Sequence, residues 1–320
     1  MPKNVKGFGD IPSIPRRGEV YSMSWSPHRA FLTLTNKRCY HPGNSAEDRR
    51  SISMNFQEKL SEASKRNQSL LCVGLDVDLD LMGEPDVVRF CQNIIDATAD
   101  LVCAYKPNWA FYEALGIEGF DALMQIRAHI PSSIPVIGDV KRGDIGNTSA
   151  MSARGLFDVF GFDAITVNPY LGYDAVEPYI AYRDKGVFVL CRTSNPGAAD
   201  FQSLVVEDEG GSRFLYEVVA ARAVEWNRYG NIGLVVGATY PEELKRVRAI
   251  CPDMPILVPG VGAQGGDLEA SVRNGVNAGG LNAIINASRQ VLYASRNEDY
   301  AEASRRSAHT LRDAINRARA

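Results

Sequence analysis

The stretch GDVKRGDIGNTS, residues 138–149, sets Asp139, Lys141, Asp144 and Thr148 in the spacing D-x-K-x-x-D-x-x-x-T, directly behind the apolar run IPVI. Side chains of an extended segment alternate between faces, so Asp139 and Lys141 are expected to share one, with Asp144 following in the turn. Charges at the end of a buried strand are tolerable only where opposite charges and hydrogen bonds compensate them. A single Asp/Lys pair would read first as an ion pair stiffening a rim. The whole spacing reads instead as a network whose members shift one another's proton affinity, the equipment of acid–base and electrostatic catalysis.

Polar residues end the other apolar runs as well. The first ends in Asp76, the second in Lys106 and Asn108, the fourth in Asn168, and the fifth in Arg192, Thr193 and Ser194. The seventh leads into PGVGAQGGD with Gln264, and the eighth into NASRQ with Arg289. Glycines let a backbone approach an anion closely, Gln264 offers an amide donor and Arg289 a bidentate one, so these last two segments read as a phosphate site. Blander readings stand beside each. Asp76 could cap or turn, Asn108 could satisfy a turn, Thr193 and Ser194 could form an ST turn, and Asn168 could be structural ahead of Pro169. Trp109, Phe111 and Tyr112 read as core or rim packing.

The elements that must position these residues are legible as eight short apolar runs: residues 69–77, 101–107, 134–141, 164–170, 187–194, 232–239, 255–262 and 281–288. Between them lie longer stretches with helical spacing, such as VVRFCQNIIDATAD and SRFLYEVVAARAVEWNRYG. Eight strand–helix repeats predict parallel pairing in a (β/α)8 TIM barrel, and continuous Val/Ile/Leu runs suit strands covered on both faces. In that fold the chemistry sits at the C-terminal ends of the strands, where Lys106, Asp139, Lys141 and Asp144 would converge. Thr239 and Glu242 have the spacing of a capping box opening the sixth barrel helix. Residues 54–67, with Phe56, Leu60 and Ala63 in register, predict a first amphipathic helix. Residues 1–53 carry Pro, Arg and Ser without sustained periodicity and are expected to be an extension outside the barrel domain of residues 54–320, with Met54 as an alternative start.

The 320 residues carry 35 Lys+Arg against 38 Asp+Glu, a formal charge of −3, so no overall field recommends nucleic acid or an anionic membrane as partner. Six cysteines without C-x-x-C spacing suit reduced, buried thiols in a cytoplasmic protein. Four scattered histidines give no metal-ligand spacing, and no metal site is expected. No transmembrane run or signal-peptide h-region is present.

With these residues in place, the chain resembles the orotidine 5'-phosphate decarboxylases from Met54 to about Ser295. GDVKRGDIGNTS carries the likeness most specifically, supported by LLCVGLDVD, AYKPNWAFYEALG, LCRTSNPGA, VPGVGAQGGD and INASRQVLYAS. The last two are similar to a bacterial branch that also resembles the parasite enzymes. The resemblance implies cofactor-free conversion of orotidine 5'-phosphate to UMP and carbon dioxide, the last step of de novo pyrimidine nucleotide synthesis. It implies Lys141 as proton donor to C6, Asp139 beside the departing carboxylate, and Lys106 bridging Asp139 and a ribose hydroxyl, with Asp76 and Asn108 near the ribose. Ser194 would read the pyrimidine edge, and Gln264 and Arg289 would hold the 5'-phosphate. It further implies a homodimer in which the partner chain donates Asp144 and Thr148. Gln290 departs from the glycine common after the arginine. Two other readings share parts of this pattern: a metal-dependent sugar-phosphate decarboxylase or synthase of the same superfamily, and a non-catalytic nucleotide-binding protein.

Overall fold

The computed structural model describes residues 54–208, 211–261 and 267–319; the expected extension of residues 1–53 and Gln264 lie outside the described residues. The apolar runs become strands β1 (Leu71–Gly74), β2 (Ala104–Lys106), β3 (Ile137–Arg142), β4 (Ala164–Val167) and β5 (Gly186–Arg192). After an inserted hairpin of β6 (Val205–Asp208) and β7 (Gly211–Phe214), they continue as β8 (Ile232–Val236), β9 (Ile256–Val258) and β10 (Ala283–Ala287). The barrel strands pair in parallel in the order β2-β1-β10-β9-β8-β5-β4-β3. Parallel bridges Tyr105–Val136 and Asn108–Asp139 bring β2 to β3. The ring so formed is the expected (β/α)8 barrel, with strands shorter than the apolar runs that announced them.

Its two hydrophobic clusters follow from the period of two along each strand. Cys72, Ala104, Ile137, Ala164, Phe188, Val235, Leu257 and Ile284 point inward and fill the barrel. Their neighbours, among them Leu71, Val73, Val187, Leu234 and Ile285, point outward into the layer shared with the helices. That outer layer consists of α2 (Val87–Thr98), α3 (Trp109–Glu113), α4 (Gly116–His129), α5 (Gly146–Arg154), α6 (Tyr173–Ile180), α7 (Leu215–Trp226), α8 (Pro241–Ile250), α9 (Leu268–Gly275), α10 (Arg289–Leu292) and α11 (Tyr300–Arg319).

The first helix, α1 (Phe56–Arg66), begins with a reciprocal capping box between Asn55 and Glu58. It carries Phe56 into the inner cluster, edge-on to Phe188 at 5.6 Å. Phe56 N–H donates to the Asp184 carbonyl, and Lys59 pairs with Asp163 at 2.8 Å, so α1 plugs the N-terminal end of the barrel. One expected device is not formed. The α8 N-cap is Tyr240 with no side-chain cap, because the Thr239 hydroxyl donates to the Ser194 carbonyl instead. Cys72, Cys91, Cys103, Cys191 and Cys251 are free and buried. Among the described residues no helix is long and apolar enough to cross a membrane.

Candidate active site

Two residues beyond the inner apolar layer, each strand presents its next inward position to the open end of the barrel. β1 places Gly74 there, β2 Lys106, β3 Asp139, β4 Thr166, β5 Leu190 and β10 Asn286. The alternation that packs the core therefore sets a lysine, a carboxylate, a hydroxyl and an amide side by side at the C-terminal mouth.

Lys106, with a side chain only 3% exposed, lies 3.1 Å from Asp139 Oδ2 and 3.8 Å from Asp76 Oδ1. Burial alone would drive off its proton, but Asp139 and then Asp76 outweigh burial and hold its pKa above the ordinary lysine value. Asp139, 12% exposed, receives Lys141 Nζ on Oδ1 at 2.6 Å. Burial works to raise its pKa, yet the ammonium groups of Lys106 and Lys141 prevail and keep the carboxyl well below the usual carboxylate range. Asp139 is thus an anion clamped between two cations. The Lys141 side chain is 48% exposed and open to the cavity. Asp139 and Lys141 do meet, though not by plain period-two alternation: the register with β4 slips between Gly138 and Arg142, and Lys141 adopts φ +47°.

These groups face a cavity of about 590 Å³, a volume suited to a nucleotide-sized ligand. Asp76, Asn108, Ser194 and Arg289 line it with Lys106, Asp139 and Lys141. Asn108 also caps α3, accepting from Ala110 N–H at 3.2 Å. Arg289 stands exposed at the start of α10, and the Gln290 carbonyl accepts a bond from the Ser307 hydroxyl. Gly260 and Val261 bring the end of β9 to the cavity, and the Asp267 carboxylate caps α9. Asp144 and Thr148 are not brought into this cluster by their own chain. Both are exposed around the start of α5, neither lines the cavity, and Asp144 Oδ1 accepts from Ile145 N–H. Among the described residues no group of three or more His, Cys, Asp or Glu side chains is disposed to hold a metal ion.

Residues 69–304 match the family model described as "Orotidine 5'-phosphate decarboxylase / HUMPS family". The chain belongs to that family. It is 55% identical over 264 residues to the orotidine 5'-phosphate decarboxylase of Dehalococcoides mccartyi, covering 82% of this chain and 98% of the relative. It is 51% identical over 273 residues to that of Thermomicrobium roseum, covering 83% and 96%. Among solved structures it is similar to Leishmania donovani OMP decarboxylase, with TM-score 0.74, 44% identity, and coverage of 83% of this chain and 99% of that one.

Within this decarboxylase-family barrel, several polar residues at the cavity or bonded to its lining carried no clear signal in the sequence. Thr166 hides in an apolar run, where threonine is an ordinary strand former. Asn286, 6% exposed, lines the cavity with a buried side-chain oxygen that has no hydrogen-bond partner, as does the expected Asp76. Gln202 clamps the fifth loop: its Oε1 accepts from Thr193 N–H at 2.8 Å and its Nε2 donates to Thr193 Oγ1 at 2.9 Å. Tyr293 fixes the first loop, donating to the Asp76 carbonyl and accepting from Asp78 N–H, each at 2.7 Å. Only the inward parity of Thr166 and Asn286 could have flagged them beforehand; the two clamps span distances no local pattern reveals.

Proposed function

We propose that the chain decarboxylates orotidine 5'-phosphate to UMP and carbon dioxide without metal or organic cofactor, completing pyrimidine nucleotide synthesis. The observation that carries this reading is the row Lys106–Asp139–Lys141, buried at one end and open to the cavity at the other, in a chain of this family. Breaking the C6–carboxylate bond leaves the electron pair on C6, in an orbital the ring delocalises poorly. The catalyst must therefore stabilise charge that appears only in the transition state. The Lys141 ammonium, held by Asp139, faces that charge in a partly desolvated mouth, where a fixed dipole or charge acts more strongly than in water. It then gives a proton to C6, and UMP forms as carbon dioxide leaves.

The remaining roles follow the chemistry of each group. Lys106, Asp76 and Asn108 suit the ribose, since two buried acceptors without hydrogen-bond partners, on Asp76 and Asn286, match the donors that sugar hydroxyls supply. Ser194 reads the pyrimidine edge, and Arg289 with Gln264 holds the phosphate. Binding energy from that remote phosphate serves orientation and closure rather than affinity alone. The exposed positions of Asp144 and Thr148 fit donation to the site of a second copy, in a homodimer.

The test is loss of orotidine 5'-phosphate absorbance on adding purified protein in EDTA. Turnover unaffected by chelator supports the reading. Activity that appears only with added magnesium, on a sugar phosphate instead, would favour the metal-dependent enzymes of the superfamily, and UMP binding without turnover would favour a silent binder.

A further inference from the structure

We propose that Thr166 is a positioning residue for this reaction, its hydroxyl fixing both ends of the Lys141–Asp139 pair; the proposal rests on Lys141 being the proton donor. Thr166 sits on β4 with 1% of its surface exposed. Its Oγ1 accepts from Val140 N–H at 3.0 Å and from Lys141 N–H at 2.9 Å. The same hydroxyl donates to Asp139 Oδ1 at 3.0 Å. That oxygen is also the one Lys141 Nζ reaches at 2.6 Å. One buried hydroxyl therefore joins the backbone from which Lys141 departs to the carboxylate its ammonium grips.

The need for such a tie is visible in the backbone. Lys141 has φ +47°, a conformation that side chains with a Cβ adopt rarely. The register between β3 and β4 slips across Gly138 to Arg142, and Thr166 receives the two successive N–H groups inside that bulge. A hydroxyl has two lone pairs and one proton, and here all three are used within the protein. Thr166 has no hydrogen-bonding capacity left for substrate, so it acts through Lys141 and Asp139. Valine would pack this strand position as well; only the oxygen can hold the bulge.

Thr166→Val keeps the shape and removes the oxygen, releasing two part-buried N–H groups and one carboxylate contact. A misplacement of about 1 Å at a reacting group is enough to slow catalysis on the order of 100-fold. The expected result is a fall in kcat of roughly 30- to 100-fold, with UMP affinity within about threefold of wild type. Thr166→Ser, which restores the oxygen, should recover kcat to within about fivefold. Thr166→Ala gives a second hydroxyl-free variant should valine prevent folding, with circular dichroism and urea midpoints run on every variant. Unchanged kcat in a folded hydroxyl-free variant would overturn the proposal. So would a kcat loss that Thr166→Ser fails to rescue, or one matched by an equal loss of UMP affinity. Wild-type protein that leaves orotidine 5'-phosphate untouched would instead sink the decarboxylase reading itself.

Discussion

Replacing Lys106 by methionine keeps most of the aliphatic stem and removes the ammonium from between two carboxylates. Asp139 loses its 3.1 Å partner and Asp76 its 3.8 Å partner, while Asp139 retains Lys141 and Thr166. Breaking a buried ion pair from one side costs about 3–5 kcal/mol, because the remaining charge is left uncompensated. With Lys141 still in place the lower end applies, about 3 kcal/mol, or a fall in Tm of roughly 6–12 °C for a domain of this size. Asp139→Asn removes one stranded charge, so the double variant should be more stable than the summed single losses predict, by roughly 1–2 kcal/mol. Urea unfolding of the wild type, both single variants and the double variant measures this directly. A loss below about 1 kcal/mol in Lys106→Met, the range of an exposed pair, or two losses that simply add, would show that Lys106 and Asp139 do not act as a coupled buried pair.

Three further outcomes follow from the same geometry. Against the pull of burial, Lys106 and Lys141 hold the Asp139 carboxyl low, so its contribution is complete above the unfolded value of about 3.9 and is lost as pH falls toward the folded one. Urea midpoints of wild type should thus drop more steeply than those of Asp139→Asn between about pH 4 and pH 2, and parallel curves would contradict this. A Cβ at Gly74 would lie 2.0 Å from Ser288 Oγ, so Gly74→Ala should cost about 1–3 kcal/mol and, by displacing Ser288 and Arg289, raise KM more than it lowers kcat. Phe56→Ala opens the plug at the far end of the barrel and should cost about 3–5 kcal/mol in a denaturant titration while leaving kcat within twofold.

The barrel was legible because its strands are buried on both faces. Runs such as IGLVV and AIINA have no solvent side to interrupt them, and the second carries Asn286 at the inward position that faces the mouth. Strand limits were less legible: the run at 69–77 forms only Leu71–Gly74, since a parallel ladder needs a neighbour at every step. The hairpin β6–β7 was not expected: Ser212–Phe214 fall in the stretch with helical spacing, whose helix begins only at Leu215, and the short strands VVED and GSRF carry no alternating apolar period. Thr239 carried the spacing of a cap, but its hydroxyl found a carbonyl from another loop. Of the site, charged residues announced themselves by type, as Lys106 and Asp139 did. Thr166 did not, because its function lies in three hydrogen bonds that cross between strands.

Whether Lys141 delivers the proton to C6 is read from Lys141→Ala in EDTA, with UMP binding and orotidine 5'-phosphate turnover measured on one preparation. The variant should bind UMP within about tenfold of wild type and turn over at least about 1,000-fold more slowly, the scale of losing a fixed transition-state charge. Turnover within tenfold of wild type would contradict this role and move the proton donor elsewhere in the cavity.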